Sequence, residues 1–391
     1  MTIPLGVYLH FPWCVSKCPY CDFNSHALRG PLPEQAYVDA LCIDLRAQVE
    51  RHAQFLGGRS VTSIFLGGGT PSLFSPTAIG RVLQALRDEL PIAAAAEITL
   101  EANPGTIERG RFAEYAAAGV NRVSVGAQTF DASRLRALGR VHSPAETASA
   151  LAELHAAGVD NFNIDLMYGL PGQGVAEALA DVQAALSFSP AQISHYHLTL
   201  EPGTPFAAQP PPALPDEDTT VEILAACLPA LQAAGFERYE VSAYARSGRA
   251  CAHNLLYWNF GDYLGLGAGA HGKLSGRDPA SGEWRIVRTT QPRDPRRFQR
   301  DPRGALVQTD VAPAQRPFEF MLNALRLLEG FAAPQCEVAT GLPWRTVWPT
   351  LERLSKRGLL TIEGERVRPT PSGLQYLNDL LVEFLPSESG T

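Results

Sequence analysis

Cys14, Cys18 and Cys21 fall within eight residues of one another in this 391-residue chain. Thiolates are soft metal donors, so a Cys-x3-Cys-x2-Cys run points to metal chemistry. Pro12 and Pro19 keep the segment from forming a helix and leave a loop on which three side chains can converge. A structural zinc ion takes four closed ligands, and the nearest candidate for the fourth is His26, five residues past Cys21. Three thiolates instead suit a [4Fe–4S] cube in which one iron stays open to a non-protein ligand. Spacing alone favours the cluster over zinc, and zinc over no metal. The other four cysteines, Cys42, Cys227, Cys251 and Cys336, are scattered, and an odd total of seven fits a secreted disulfide framework poorly. Cys42 lies in the helical pattern Tyr37, Leu41, Leu45, Val49 and reads as a small buried hydrophobe.

A repeat positions these and other polar residues. Ala118-Gly119-Val120, Ala157-Gly158-Val159 and Ala234-Gly235-Phe236 each follow a helical stretch and open an alternating one, with glycines 39 and then 77 residues apart. Each glycine reads as the C′ residue that ends a helix and feeds the next strand. Further strands read at Leu5–Phe11, Ser63–Leu66, Glu97–Glu101 and Gln192–Leu200, and helices at Glu34–Gln54, Pro76–Leu90 and Ile107–Ala118. Strands alternating with helices predict a parallel α/β array, a full or partial barrel. The cysteines, Gly67-Gly68-Gly69-Thr70-Pro71-Ser72, Glu101, Gln128 and Asp165 all sit at carboxyl ends of strands, the functional face of such a barrel.

Beyond about residue 245 the rhythm gives way to a Gly-rich stretch, Phe260–Gly276, and a Pro/Arg-rich one, Gln291–Arg303. The reading is a barrel over 1–245, an extension over 246–300 and a C-terminal domain over 301–391. In the last, helices around Pro317–Leu328 and Trp344–Arg357 precede a hairpin over 359–368 turning at Glu363-Gly364, which resembles a winged helix. Its 10 basic and 11 acidic residues over 300–391 make a packing or partner-contact role the expectation rather than DNA reading. The whole chain carries 33 basic and 40 acidic residues, a net charge of −7, which argues against a nucleic-acid binder. No apolar run approaches the roughly 18 residues of a spanning helix, and the N-terminus lacks the basic region of a signal peptide. The expectation is a cytoplasmic protein without a transmembrane segment, with membrane-surface contact left open.

The cysteine run with Tyr20 before its last member is similar to the signature of radical SAM enzymes. Tyr8-x-His10-x-Pro12, Gly67-Gly68-Gly69-Thr70-Pro71-Ser72, Glu101-Ala102-Asn103-Pro104 and Ile164-Asp165-Leu166-Met167-Tyr168-Gly169-Leu170-Pro171 resemble the oxygen-independent coproporphyrinogen III oxidase branch over nearly the whole chain. The resemblance implies a partial TIM-type (β/α)6 barrel with a small winged-helix-like α+β domain, a [4Fe–4S] cluster on Cys14, Cys18 and Cys21, and S-adenosylmethionine (SAM). It implies that Tyr8, Tyr20, Gly68 and Glu101 contact cluster-bound SAM, and that Gly69, Thr70, Gln128, Arg140 and Asp165 face a second SAM or a neighbouring ligand. It further implies an electron donor of the flavodoxin or ferredoxin kind. Independently, consecutive glycines free backbone N–H groups for close approach to a ligand, and Arg140 suits a carboxylate as a bidentate donor.

Two subfamilies compete within the branch. The oxidases carry a further cysteine two residues after the third cluster ligand, whereas this chain has Cys21-Asp22-Phe23, and Phe23 neither binds metal nor donates a proton. His253-Asn254-Leu255-Leu256-Tyr257-Trp258 matches the H-N-x-x-Y-W motif of HemW-type heme chaperones. A neutral imidazole is an ordinary axial ligand for heme iron, and Tyr257 and Trp258 could stack on a porphyrin; Cys251 is a second candidate ligand. The resemblance thus implies a chaperone that passes heme to acceptor hemoproteins without coproporphyrinogen oxidase activity, with SAM cleavage left open. The alternatives are the oxidase, in porphyrin biosynthesis, and a zinc-stabilised regulator.

Overall fold

The computed structural model describes residues 2–105 and 110–386. Six parallel strands form its centre: β1 (Leu5–Phe11), β2 (Val61–Gly68), β3 (Ile92–Ala102), β4 (Arg122–Gln128), β5 (Phe162–Tyr168) and β6 (Gln192–His197), hydrogen-bonded in chain order. Helices α1 (Glu34–Arg51), α2 (Pro76–Glu89), α3 (Phe112–Ala118), α4 (Pro144–Ala156), α5 (Val175–Ser187) and α6 (Glu217–Ala233) alternate with them. β1, β4 and β5 are nearly continuously buried, as expected of parallel strands covered on both faces; every residue of β4 is buried. Gly119, Gly158 and Gly235 of the repeat all take positive φ at helix ends.

The third copy of the repeat behaves differently from the first two. After Gly235 come β7 (Glu237–Glu240) and β8 (Ala243–Ala245), which pair antiparallel, and β8 joins β6 antiparallel. The Gly-rich stretch, expected as a break in the rhythm, carries strands of the same sheet. A helix α7 (Ala252–Trp258) leads to β9 (Asp262–Leu266), which runs parallel to β1 on its outer side, then to β10 (His271–Arg277), β11 (Trp284–Thr290) and β12 (Val307–Asp310) as antiparallel neighbours. The result is a mixed α/β sheet, twelve strands among the described residues, that runs past the 300/301 boundary expected from composition.

Smaller differences have local causes. The helix expected over Glu34–Gln54 breaks at His52, and residues 107–109 of the helix expected from Ile107 lie outside the described residues. Beyond the sheet, α8 (Arg316–Ala324), β13 (Phe331–Ala332), α9 (Ala333–Thr340), α10 (Trp348–Lys356) and the hairpin β14 (Leu360–Glu363) and β15 (Arg366–Pro369) form the C-terminal unit. Its turn lies at Gly364-Glu365, because Gly364 takes the positive φ there. Phe320, Phe331, Leu351 and Val367 share one core with Phe260 and Ile286 of the main sheet region, and Gln335 Nε2 donates to Asn259 Oδ1 at 2.8 Å.

Candidate functional site

The loop after β1 returns under its own cysteines: Trp13–Cys14 and His26–Ala27 form a short parallel pair. All three cysteines are free thiols and line one cavity of about 140 Å³ with Gly68, Glu101 and Arg140. Thr70 Oγ1 donates to Cys14 Sγ at 3.5 Å, and Arg140 Nη1 to Cys18 Sγ at 3.8 Å. Both donors point at sulfur, as they would toward a metal-bound thiolate, while burial pushes the Cys14 thiol up. Among the described residues no three His, Cys, Asp or Glu side chains stand grouped as ligands of a single metal ion.

The glycine run sits where β1 and β2 end together, with Phe11 paired to Gly68. Gly68 has φ +110°, and a Cβ there would meet the His10 ring at 2.5 Å; one on Gly69 would meet Trp13 O at 2.6 Å. Side chains are therefore excluded, and the backbone itself forms the wall. Gly68 N–H donates to Glu101 Oε2 at 3.0 Å. Burial, followed by the nearby Asp165 carboxylate, pushes Glu101 up to about 8. Asp165 is also raised by burial, against hydrogen bonds from Ser124 Oγ at 3.1 Å and Asn163 Nδ2 at 2.7 Å. Two partly buried carboxyls with no ion pair among the described residues suit a ligand that brings hydroxyl or ammonium donors.

Gln128 ends β4 at φ +66°, where the pairing with β5 shifts register. A non-glycine residue held in the left-handed region is strained, and strain of this kind gathers at functional sites. Its Oε1 accepts from Tyr196 OH. Tyr8 OH bonds His10 Nδ1 at 2.9 Å, while His10 Nε2 bonds Asn24 O at 2.9 Å, tying β1 to the cysteine loop. Tyr20 lines the cavity, and its hydroxyl is raised by burial against the pull of Arg140. The expected residues Tyr20, Gly68, Gly69, Thr70, Glu101, Gln128, Arg140 and Asp165 thus converge with the cysteines on one cavity. Tyr8 lines an adjoining one, of about 600 Å³.

The structure places His253, Tyr257 and Trp258, the residues expected to meet heme, in different surroundings. His253 is 2% exposed. Its ring lies between Phe65, at 4.9 Å, and an edge-on Tyr257, at 4.7 Å, and Ser63 Oγ bonds its Nδ1 at 3.1 Å. Its Nε2 is buried without a partner, and burial lowers the imidazole to about 3. A porphyrin plane cannot reach that nitrogen. Tyr257 lines the 600 Å³ cavity, while Trp258 lies under Arg326 of the C-terminal unit, 4.4 Å from its ring centre. Cys251 is buried against Glu97, its thiol 3.3 Å from Oε1, and is pushed up to about 12 by burial.

Residues 8–185 match the radical SAM superfamily model and 311–376 the HemN C-terminal domain. The chain is 47% identical to the heme chaperone HemW of Escherichia coli and 43% identical to that of Haemophilus influenzae, over 98% of this chain and 98% and 99% of theirs. The chain belongs to the HemW family. A solved structure of E. coli coproporphyrinogen III oxidase (HemN) superposes with TM-score 0.79 at 23% identity, covering 98% of this chain and 90% of that one, and so shares the HemW fold. The radical SAM membership implies a [4Fe–4S] cluster and SAM, and the three free thiols with their donors fit that set. Among the described residues no helix is long and apolar enough to cross a membrane.

Two residues of this site escape the sequence reading. Asn103 bridges Thr70 and Arg140: its Nδ2 donates to Thr70 Oγ1 at 2.7 Å and its Oδ1 accepts from Arg140 Nη2 at 2.6 Å. Its place before Pro104 in a recognised motif was the available signal. Tyr196 is announced only by strand alternation in His195-Tyr196-His197.

Proposed function

We propose that this protein is a heme chaperone, holding a [4Fe–4S] cluster on Cys14, Cys18 and Cys21, binding SAM and heme, and passing heme to acceptor hemoproteins in the cytoplasm. The observation that carries the reading is Phe23. It stands where the oxidases have a further cysteine, 57% exposed at the mouth shared by both cavities. A phenyl ring gives no proton to a substrate radical, so the position suits containment of an apolar ring system. The high identity to relatives named heme chaperones supports the same reading.

When bound, such a cluster offers an open iron to the amino and carboxylate groups of SAM and supplies single electrons. The chain's own residues do the rest. Thr70 and Arg140 donate toward the cysteine sulfurs and stabilise negative charge there. Gly68 and Gly69 allow a ligand to approach the backbone, and Tyr8 and Tyr20 flank it. Glu101, held near 8 in the ligand-free cavity, keeps its proton at neutral pH and ionises when an ammonium or hydroxyl donor arrives. Gln128, Asn103 and Asp165 close the polar wall deeper in the barrel. An electron donor of the flavodoxin or ferredoxin kind completes the set.

The test is an anaerobic heme titration of the reconstituted protein, paired with a decarboxylation assay on coproporphyrinogen III under reducing conditions. The expected result is saturable heme binding and no decarboxylation. Decarboxylation without heme uptake overturns the reading in favour of the oxidase.

A further inference from the structure

The Pro/Arg-rich stretch of the sequence lies beside the cysteine loop. A cavity of about 800 Å³ is lined by Trp13, Lys17, Ser25 and Arg29 on the loop side and by Asp294 and Arg296 across from them. Of its lining residues only Ser25 also lines the cluster cavity, and Ser25 Oγ stands 3.5 Å from Cys21 Sγ. The loop is thus a thin wall between the thiols and a basic face. Over 291–303, Arg293, Arg296, Arg297, Arg300 and Arg303 stand against only Asp294 and Asp301, in a chain of net charge −7. Arg303 pairs with Glu50 at 3.4 Å, whereas the exposed Lys17, Arg29, Arg296, Arg297 and Arg300 form no ion pair among the described residues. Asp294 is engaged as the N-cap of the short helix Pro295–Arg300, accepting from Arg296 N at 2.7 Å and Arg297 N at 2.8 Å. Fixed packing holds the two sides together. The Tyr37 ring lies 4.8 Å from that of Trp13 and 5.6 Å from that of Phe298, and Asn24 Nδ2 donates to both Ala268 O and Arg293 O at 2.9 Å. Unpaired cations on such a frame create a local positive potential that steers an anionic partner.

We propose that this face docks a small acidic electron-carrier protein of the flavodoxin kind, which delivers one electron to a cluster on Cys14, Cys18 and Cys21. The inference rests on the cluster-bearing reading of those cysteines. The carrier is oxidised by one electron and the cluster reduced by one; no bond forms or breaks between the partners. A carrier seated here leaves the cluster cavity open to SAM, because the two cavities share only Ser25. Redox encounters are small and transient, so a few unpaired cations beside the acceptor supply attraction and orientation without a large apolar patch. A lipid surface would instead want apolar side chains projecting beside the cations, and none of the exposed residues lining this cavity is a large hydrophobe.

The experiment measures flavodoxin binding to the anaerobically reconstituted full chain by isothermal titration calorimetry, and cluster reduction by flavodoxin hydroquinone in stopped flow, each at low and high salt. Dithionite serves as a small-molecule reductant for comparison. The test variant is Arg296→Glu with Arg297→Glu; glutamate suits the first turn of a helix, so the fold is kept. The control is Arg249→Glu with Arg345→Glu, the same change of net charge at exposed positions elsewhere. The test variant is expected to keep iron, sulfide and dithionite reduction but to lose at least about tenfold in flavodoxin affinity and reduction rate at low salt. Wild type should converge on it as salt rises, and the control pair should stay within about twofold of wild type. Equal losses in both pairs, or wild-type binding by the test variant, overturn the docking face. Capture of wild type by phosphatidylglycerol vesicles with no flavodoxin binding overturns it in favour of a membrane contact. Failure of wild type to hold iron and sulfide overturns the cluster reading, and this inference with it.

Discussion

Two carboxyls on one sheet have opposite surroundings. Asp262, at the start of β9, accepts from Lys273 Nζ at 2.7 Å, Ser275 N at 2.9 Å, Ser275 Oγ at 2.7 Å and Arg59 Nη2 at 2.9 Å. Glu101, at the carboxyl end of β3, accepts one backbone N–H and faces Asp165 instead of a cation. Asp262 is fully buried yet satisfied by the protein, whereas Glu101, partly buried at the cavity wall, is raised to about 8. A buried charge that is saturated by fixed donors fastens strands together; one left short of partners keeps its capacity for a ligand. The saturated cluster lies at the amino end of the parallel strands and the unsaturated one at the carboxyl end, where such barrels bind.

The sharpest break in this comparison is at the cluster cavity. Cys18→Ser is expected to abolish iron and sulfide content and the brown absorbance after anaerobic reconstitution, while the melting temperature of the apoprotein stays within a few degrees of wild type. A large loss of apoprotein stability would show that the loop is structural rather than a ligand platform. Lys273→Met should do the reverse: about 3–5 kcal/mol of stability lost in denaturant unfolding, because Asp262 stays buried with one cation fewer, and cluster incorporation retained by whatever folds. A loss under 1 kcal/mol would mean that Arg59 and Ser275 suffice.

Glu101→Gln isolates the other carboxyl through pH. The folded pKa of Glu101 lies above its ordinary value of 4.5, so the unfolded chain releases this proton first. Its contribution to stability is complete below about 4.5 and falls as pH rises through about 8. The variant should flatten that decline in the apoprotein and be the more stable by on the order of a few kcal/mol at pH 9. A shallower decline remains from Asp44, raised by burial to about 7. Identical profiles for variant and wild type would remove the raised carboxyl from the account. Asn24→Ala, the smallest change, removes two donors from Ala268 O and Arg293 O; the expected cost is about 1–2 kcal/mol, read by thermal unfolding, with faster amide exchange around Gly269.

Much of the site was legible because its signals are local. Cysteine spacing, the glycine run before Pro71 and the strand-ending Glu101 and Asp165 need only neighbouring residues to be read. The bond of Asn103 to Arg140, 37 residues apart, and that of Tyr196 to Gln128, 68 residues apart, needed the sheet order. The Gly-rich stretch misled for a related reason: its small residues pack β9 against β10, where a Cβ on Gly265 would collide with His271 O. Composition alone reads such a run as loop.

The sequence by itself determined the parallel α/β alternation, the three-cysteine loop, the strand-end face on which the motifs gather and the family, since period, spacing and motif order are properties of the chain. The tertiary structure decided which histidine is walled in and which lines a cavity. His253 belongs to the recognised motif yet is stacked against Phe65 beneath Tyr8, whereas His271 belongs to no motif and opens on a cavity. That difference follows from β9 pairing in parallel with β1 across more than 250 residues. The pairing sets β10 and its first residue against the cysteine loop, and no local pattern encodes that partner or its register.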